Sequence, residues 1–358
     1  MRRVMQFAYN IYLWFVPHSS GIVLERGSRI FHICAAVPLF LVLFCTGCRE
    51  KSSEDAFLPA LEDSNRLIVF TSHKEEVYEP IIREFEERTG IWVEVTDGGT
   101  AELLDRIAAG EECDVMFGGG VESYESCKDY FESYRSSAAD LLSAEYVSDG
   151  DFWTVFTRLP IVLIYNSKLV DASEAPESFA DLLSGDWDGM IAFADPANSG
   201  SSYTMLVTMI QALDLGVDEA LRAFAGALDG EMAEGSGDVV DQVVSGKRLI
   251  GITLEETARK RILAGDDLTI VYPEEGTSAV PDGCAIVQGT KHLENAKQFV
   301  DFIVSEDVQR LAVETMSRRS VRTDFEQEEE TFDLIDFDLE LAVQWREEIL
   351  NEWAELMK

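Results

Sequence analysis

The sequence predicts an α/β fold of two lobes, each a mostly parallel sheet flanked by helices. Apolar, strand-like runs alternate with segments of helical periodicity over residues 66–117, and a second alternation covers residues 159–272. A further apolar run follows at residues 283–287. Alternating strands and helices favour parallel sheets with right-handed crossovers, and the change of pattern near residue 152 indicates a second lobe.

The first alternation is the clearer of the two. Residues 66–71, 91–95 and 114–117 are typical of buried strands, and residues 75–88 and 101–109 have apolar side chains at helical spacing. Thr89 and Gly90 mark the end of the first helix. Because ligands bind at the carboxyl ends of strands in such sheets, the loops after these strands are the candidate site.

The second alternation and the tail complete the element prediction. We expect strands at residues 159–165, 191–194, 248–253, 268–272 and 283–287. We expect helices at residues 179–183, from about 202 to 213, and at 218–228, 238–245, 293–305, 308–316 and 339–358.

The N-terminal segment resembles a secretory signal. Residues 33–45 are uncharged and mostly apolar, too short for a membrane span of ~20 residues. Small residues before Cys48 and a polar stretch after it resemble a bacterial lipobox, although Cys45 occupies the usual aliphatic position. We expect a signal at residues 1–48, lipidation of Cys48 and a tether at 49–64; the alternative is an uncleaved signal anchor.

Charge and cysteine content exclude several classes of protein. The chain has 29 basic and 67 acidic residues, so a nucleic-acid partner is not expected. Cys113, Cys127 and Cys284 form neither a disulfide framework nor a paired metal motif. No nucleophile elbow, paired-histidine motif or P-loop is present, and we expect a monomer that is not an enzyme and has no catalytic residue, metal or cofactor.

Four stretches, at residues 70–76, 84–90, 195–200 and 296–302, resemble the type II periplasmic binding proteins of ABC importers. More narrowly, they are similar to the branch of ferric-ion, sugar-phosphate and phosphonate binders. The resemblance covers residues 66–316. It implies a first lobe of residues 65–158 plus 282–358 and a second of residues 159–281. It also implies hinge crossings near 158–160 and 276–281.

Four loops are expected to meet between the lobes, each after a strand. The candidate ligand residues in these loops are Ser72, His73, Gly98, Gly99, Thr100, Gly119, Asn198, Ser199, Gly200, Ser201 and Ser202. The fourth loop, 198–202, opens a helix, where free backbone N–H groups and the helix dipole favour an anion. An ordinary helix N-cap is the alternative there, because Asn and Ser are preferred caps.

Three further residues complete the predicted site. Glu255 and Glu256 are expected to accept hydrogen bonds from a hydroxyl or an amine, or else to lie at an exposed helix start. Thr277 lies in the second crossing, either as a donor to the ligand or as part of a hinge without contact. In the ferric binders a histidine stands where His73 does, but the second lobe here has no tyrosine at residues 253–256.

The resemblance implies an extracytoplasmic binding protein, anchored to the bacterial membrane, that captures a small anionic solute and delivers it to a membrane permease. A phosphorylated sugar or a phosphonate-like compound is the expected class, with hexose phosphate first. The alternatives are a ferric-ion importer component and a sensory receptor of the same fold.

Overall fold

The computed structural model describes residues 63–213, 215–233, 235–327 and 331–358. The predicted signal 1–48, with Cys48, and residues 49–62 of the predicted tether lie outside these residues. No helix within the described ranges is both long and apolar enough to cross a bilayer.

The strands are β1 (Arg66–Thr71), β2 (Trp92–Asp97), β3 (Val115–Gly120), β4 (Thr154–Val155), β5 (Thr157–Arg158), β6 (Ile161–Asn166), β7 (Ile191–Ala192), β8 (Ile250–Leu254), β9 (Leu268–Val271), β10 (Asp282–Ile286) and β11 (Arg319–Ser320). The helices are α1 (Glu75–Thr89), α2 (Thr100–Ala108), α3 (Val121–Ser126), α4 (Phe179–Leu182), α5 (Gly200–Ala212), α6 (Val217–Leu228), α7 (Ser236–Ser245), α8 (Glu255–Leu263), α9 (Leu293–Ile303), α10 (Glu306–Met316), α11 (Leu339–Gln344) and α12 (Arg346–Leu356).

The first sheet has the strand order β2-β1-β3-β10-β4. β1 pairs in parallel with β2 and β3, as the alternation predicts. Leu67 to Phe70 of β1 are all buried, because helices cover both faces of a parallel sheet. α1 buries Val77, Ile81, Ile82 and Phe85, and it ends where Gly90 takes a φ of 72° and donates its N–H to Glu86 O.

The second sheet has the order β7-β8-β6-β9 and is less parallel than predicted. β7 and β8 are parallel, but β6 pairs antiparallel with both β8 and β9. The physical reason lies in the connections: β6 carries the chain away from the first sheet, and β9 leads back towards β10. Two neighbouring strands that enter and leave must run in opposite directions.

The tail leaves the first sheet after α10. The main-chain N–H of Thr277 donates to Asp333 O, and that of Ile335 donates to Thr277 O, so the tail runs along the second crossing. α12 then packs against α6, where Trp353 contacts Phe193 and Phe224. The lobe boundaries stay a prediction; α12, which the prediction assigns to the first lobe, packs its apolar face beside α6.

Candidate functional site

A cavity of about 340 Å³ opens between the carboxyl ends of the first sheet and the helix starts of the second. Its volume lies within the range of small-molecule sites, about 300–1,000 Å³. Eleven of the predicted site residues line it: Ser72, His73, Gly98, Gly99, Thr100, Gly119, Asn198, Ser199, Gly200, Ser201 and Glu256. The four predicted loops therefore meet at one place, and we call this cavity the cleft.

Three predicted residues lie outside the cleft lining. Ser202 is fully buried and donates its hydroxyl to Ser199 Oγ. Thr277 is also fully buried, with its hydroxyl donated to Ile161 O, so it joins the second crossing to β6 instead of facing a ligand.

Glu255 points away from the cleft into a cluster of partners. Its carboxylate accepts two bonds from Arg319, of 2.7 and 2.8 Å, and one from Arg259. Burial opposes its charge, but Arg319 and Tyr272 outweigh burial and hold the pKa of Glu255 below its usual range. Glu255 thus ties α8 to β11, while Glu256, one residue further, faces the cleft.

Charged cleft residues were missed by the sequence analysis. Lys74, Lys260 and Arg318 supply positive charge, and Glu76 and Asp282 supply negative charge in addition to Glu256. Lys74 was within reach of sequence reasoning, since it directly follows His73 in the first loop. Arg318 was not, because it follows α10 and reaches the cleft only through the return of the tail.

Five helices of at least nine residues begin at the cleft: α1, α2, α5, α7 and α8. The residue preceding each helix lines the cavity: Lys74, Gly99, Ser199, Gly235 and Leu254. Within the described part of the chain, four of these starts have no side-chain cap, the exception being Ser199. Uncapped backbone N–H groups at helix starts are donors suited to an anion.

Ser199 combines the two roles considered for the fourth loop. Its Oγ accepts a bond from Ser202 N at 3.3 Å, so it is an N-cap. It also lies 3.1 Å from Ser201 Oγ, and both hydroxyls border the cleft. The loop is therefore capped and still presents hydroxyl groups to the cavity.

The glycines that end β3 let the two sides of the cleft approach. Gly119 has a φ of 89°, and a Cβ there would lie 2.6 Å from Thr100 Cγ2. Gly118, with a φ of 102°, would bring a Cβ within 2.9 Å of Ser72 Oγ. Both conformation and space therefore require glycine.

A buried polar cluster forms the base of the cleft. Asp282 accepts bonds from Thr157 N (2.9 Å) and Oγ1 (2.7 Å), and Arg318 pairs with its other oxygen. His73 Nε2 lies 3.3 Å from Asp282 Oδ2, and the ring packs edge-on against Phe117 at 4.4 Å. Burial lowers the pKa of His73 to about 3, so its imidazole is neutral at pH 7.

An ion-pair chain crosses the mouth of the cleft. Lys260 Nζ in α8 lies 2.8 Å from Glu76 Oε1 in α1 and 2.9 Å from Glu256 Oε2. The Lys260 ammonium lowers the pKa of Glu76 through this bond. α1 and α8 follow strands of different sheets, so the pair links the two sides of the cleft.

Within the described residues, no group of three or more His, Cys, Asp or Glu side chains could hold a metal ion. Tyr272, the tyrosine that follows β9, donates its hydroxyl to Glu255 at 2.5 Å and does not line the cleft. The donors that face the cleft are hydroxyls, backbone N–H groups and cations, which suit an oxyanion.

Comparison with solved structures agrees with this architecture. The periplasmic binding protein AfuA from Actinobacillus pleuropneumoniae, solved with exogenous fructose-6-phosphate bound, has a TM-score of 0.74 and 23% identity. The match covers 82% of this chain and 98% of that one. A ferric binding protein from Campylobacter jejuni gives a TM-score of 0.72 and 20% identity, over 81% and 99% of the two chains. These similarities confirm the two-lobe α/β fold.

Curated relatives are matched over a smaller share of their length. A probable ABC transporter periplasmic-binding protein of Sinorhizobium fredii is 29% identical over 63% of this chain, and the match spans 66% of that relative, just under two thirds. A putative 2-aminoethylphosphonate-binding periplasmic protein of Salmonella typhi is 22% identical, over 73% of this chain and 79% of its own length.

A family model described as bacterial extracellular solute-binding protein matches residues 109–338, which is more than half of the chain. Proteins of this kind bind solutes and do not convert them, which confirms the expectation of a binding protein in place of an enzyme. The chain belongs to the family of bacterial extracellular solute-binding proteins.

Proposed function

We propose that this protein captures a small solute carrying a phosphate or phosphonate group in the cleft and delivers it to the membrane permease of an ABC importer. The observation that carries the proposal is the convergence of five helix starts on one cavity, four of them without a side-chain cap. Backbone N–H groups at such starts hold a phosphate without requiring a basic surface.

The side chains of the cleft support the same class of ligand. Lys74, Lys260 and Arg318 add positive charge where the helix dipoles already favour an anion. Glu256, which lies beside Lys260, supplies an acceptor for sugar hydroxyls. This pairing of donors and acceptors makes a hexose phosphate our first choice. AfuA with fructose-6-phosphate and the putative aminoethylphosphonate binder are consistent with a ligand of this kind.

A thermal-shift panel tests the proposal. We expect fructose 6-phosphate or 2-aminoethylphosphonate to raise the melting temperature of the pure protein, because a ligand that binds only the native state stabilises it by mass action. Thiamine and ferric citrate complete the panel. A shift with ferric citrate alone would replace the proposed ligand class with iron.

Ser201→Asp tests where the ligand binds. A carboxylate in the first turn of α5 repels an anion at the place where Ser201 borders the cleft, so we expect at least a tenfold loss of affinity, about 1.4 kcal/mol. Ser184→Asp adds the same charge on the exposed surface beyond α4 and is the matched control. Unchanged affinity in Ser201→Asp would place the ligand elsewhere.

We further propose that Cys48 is lipidated and holds the protein at the outer side of the membrane. The support is the sequence around Cys48 together with a family of extracellular proteins. Cys48→Ala should release the protein from the membrane fraction of cells that express the full chain. If the variant still sediments with membranes, the N-terminal segment is an uncleaved anchor instead.

A further inference from the structure

Glu122 is a buried carboxyl directly behind the cleft wall. It is the second residue of α3 and only 1% exposed. Its Oε1 accepts the hydroxyl of Thr204 at 2.8 Å, and its Oε2 has no hydrogen-bond partner among the described residues. A Cβ on Gly120 would lie only 2.2 Å from Oε2. Gly120 and Thr204 both line the cleft, so one hydrogen bond separates Glu122 from the ligand space.

The Thr204 hydroxyl has one proton and two possible acceptors. Glu122 Oε1 is at 2.8 Å, and Gly200 O is at 3.2 Å. While Glu122 is ionised, Thr204 donates to it and presents only lone pairs to the cleft. Once Glu122 is protonated, its O–H donates to Thr204 Oγ1, and the threonine proton is free to point elsewhere. The protonation of one buried group thus changes what a cleft hydroxyl offers.

Few charged groups face Glu122. Arg346 of α12 is the cation that acts on it, and the Arg346 guanidinium lies 4.1 Å over the ring of Tyr203 in α5. Tyr203 and Tyr146, the latter from the loop before β4, are the other titratable groups near it, and burial keeps both phenols neutral. Burial raises the pKa of Glu122, against smaller opposing effects of Thr204 and Arg346.

We propose that Glu122 is a positioning residue that makes solute binding depend on pH: its protonated form strengthens, and its ionised form weakens, the binding of an anion in the cleft. Two effects act in the same direction. Protonation removes a negative charge from behind Gly120, and it releases the Thr204 hydroxyl to donate to the anion. The inference rests on the proposed function. It implies that the protein binds a proton when it binds the solute.

The test compares the wild type with Glu122→Gln, whose amide is neutral at every pH. The dissociation constant of fructose 6-phosphate is measured for both by calorimetry from about pH 5 to about pH 8.5. We expect the wild type to bind about tenfold more weakly than the variant at the alkaline end, and the ratio of the two constants to approach one in acid. The ratio removes the titration of the phosphate itself, which has a pKa of about 6.

Two further variants separate positioning from simple packing. In a Thr204→Val background, the change from Glu122 to Gln should have a smaller effect, because the hydroxyl that transmits it is gone. Glu125→Gln neutralises a carboxylate of the same helix that instead contacts Lys128 and Trp153, and its ratio to the wild type should not vary with pH. A ratio for Glu122→Gln that is constant across the pH range overturns the proposal.

A measurement without ligand keeps the two proposals distinguishable. Because the pKa of Glu122 is raised in the folded state, the wild type should lose stability relative to Glu122→Gln as pH rises from the ordinary carboxyl value through the raised one. A stability difference that does not depend on pH overturns the role of Glu122. Failure of both fructose 6-phosphate and 2-aminoethylphosphonate to bind the wild type overturns the proposed function instead.

Discussion

At the scale of single residues, the base of the cleft shows how burial sets the chemistry that a ligand meets. His73 lines the cleft just after β1, yet its ring packs against Phe117 and Phe156 and is kept neutral by burial. The nearby carboxylate of Asp282 does not reverse this, because Arg318 and Thr157 already occupy both of its oxygens. His73 therefore offers the cleft a neutral imidazole.

The neutral state of His73 predicts a specific loss of stability in acid. Its pKa is about 3 in the folded protein and near 6.5 when unfolded, so the unfolded chain binds more protons between these values. Stability should fall as pH decreases from about 6.5 towards 3, by up to about 1.4 kcal/mol per pH unit from this residue. His73→Gln should reduce this dependence of stability on pH, which is measured by urea unfolding at a series of pH values.

Ser72→Ala, which changes a neighbouring cleft residue without a titratable ring, is the control and should follow the wild-type slope. Parallel curves for the wild type and His73→Gln would contradict the buried neutral imidazole. Comparing variants isolates this one group from the many carboxylates that titrate over the same range.

At the scale of elements, the cleft is held from both sides by helix starts and by the pair between α1 and α8. Glu76 is exposed, with 59% of its side chain accessible, so the pair with Lys260 is of the weak, solvent-screened kind. Lys260 also pairs with Glu256 of its own helix. The pair therefore adds a modest attraction between the two sides of the cleft.

Glu76→Gln should remove the ion pair between α1 and α8 without disturbing the fold. A surface pair contributes about 0.2–1 kcal/mol, so we expect bound fructose 6-phosphate to dissociate up to about fivefold faster, with the difference shrinking at high salt. Stopped-flow dissociation rates measure it. Glu79→Gln, an exposed residue of the same helix that does not line the cleft, is the matched control. Equal rates for all three proteins would show that the pair does not slow the release of the ligand.

The loops that form the cleft can be predicted from the sequence far better than the charged side chains that line it. The loops after β1, β2 and β3 were predictable, because apolar runs mark the strands and parallel pairing brings their carboxyl ends to one edge. The helix starts at Thr100 and Gly200 were predictable for the same reason, since each helix follows a predicted strand. α3, which has only six residues, was missed, and α8, with its polar and highly charged sequence, was foreseen only as an alternative, a helix start at Glu255 and Glu256.

Long-range contacts explain the remaining misses. Arg318 and Asp282 meet His73 only because the chain returns to the first sheet through β10 and α10, and no local pattern encodes that meeting. The inward direction of Glu256 and the outward direction of Glu255 likewise depend on Arg319, far along the chain. A pair of adjacent acids on a helix start gives no sign of which one faces the ligand.

At the scale of the whole molecule, the proposed anionic ligand has to bind an acidic protein with a net charge of −38. The fold eases this conflict by placing five helix starts at the cleft, together with three basic side chains that offset the three carboxylates there. Surface charge is screened over about 10 Å at ordinary ionic strength, whereas groups inside a cavity act at contact distance. Local geometry therefore determines ligand choice, and the surface charge serves solubility.

The tail joins the parts of the molecule that form this cleft. α11 packs against α3, which carries Glu122, and Tyr203 of α5 donates its hydroxyl to Ala342 O. α12 packs on α6 through Trp353, which is 1% exposed. One C-terminal segment thus contacts helices that follow strands of both sheets, and its packing should affect stability and solute binding together.

Trp353→Ala tests this role of the tail. Removing a large buried side chain from its contacts with Phe193 and Phe224 should cost about 3–5 kcal/mol of unfolding free energy, measured by urea denaturation. Trp345→Ala removes a tryptophan that is 40% exposed and should cost much less. We expect the Trp353 variant, under conditions where it stays folded, also to bind fructose 6-phosphate more tightly at alkaline pH, because loosening α12 weakens the influence of Arg346, which lowers the pKa of Glu122, and so favours the protonated carboxyl. A stability loss with unchanged affinity would confine the tail to a structural role and separate it from the cleft.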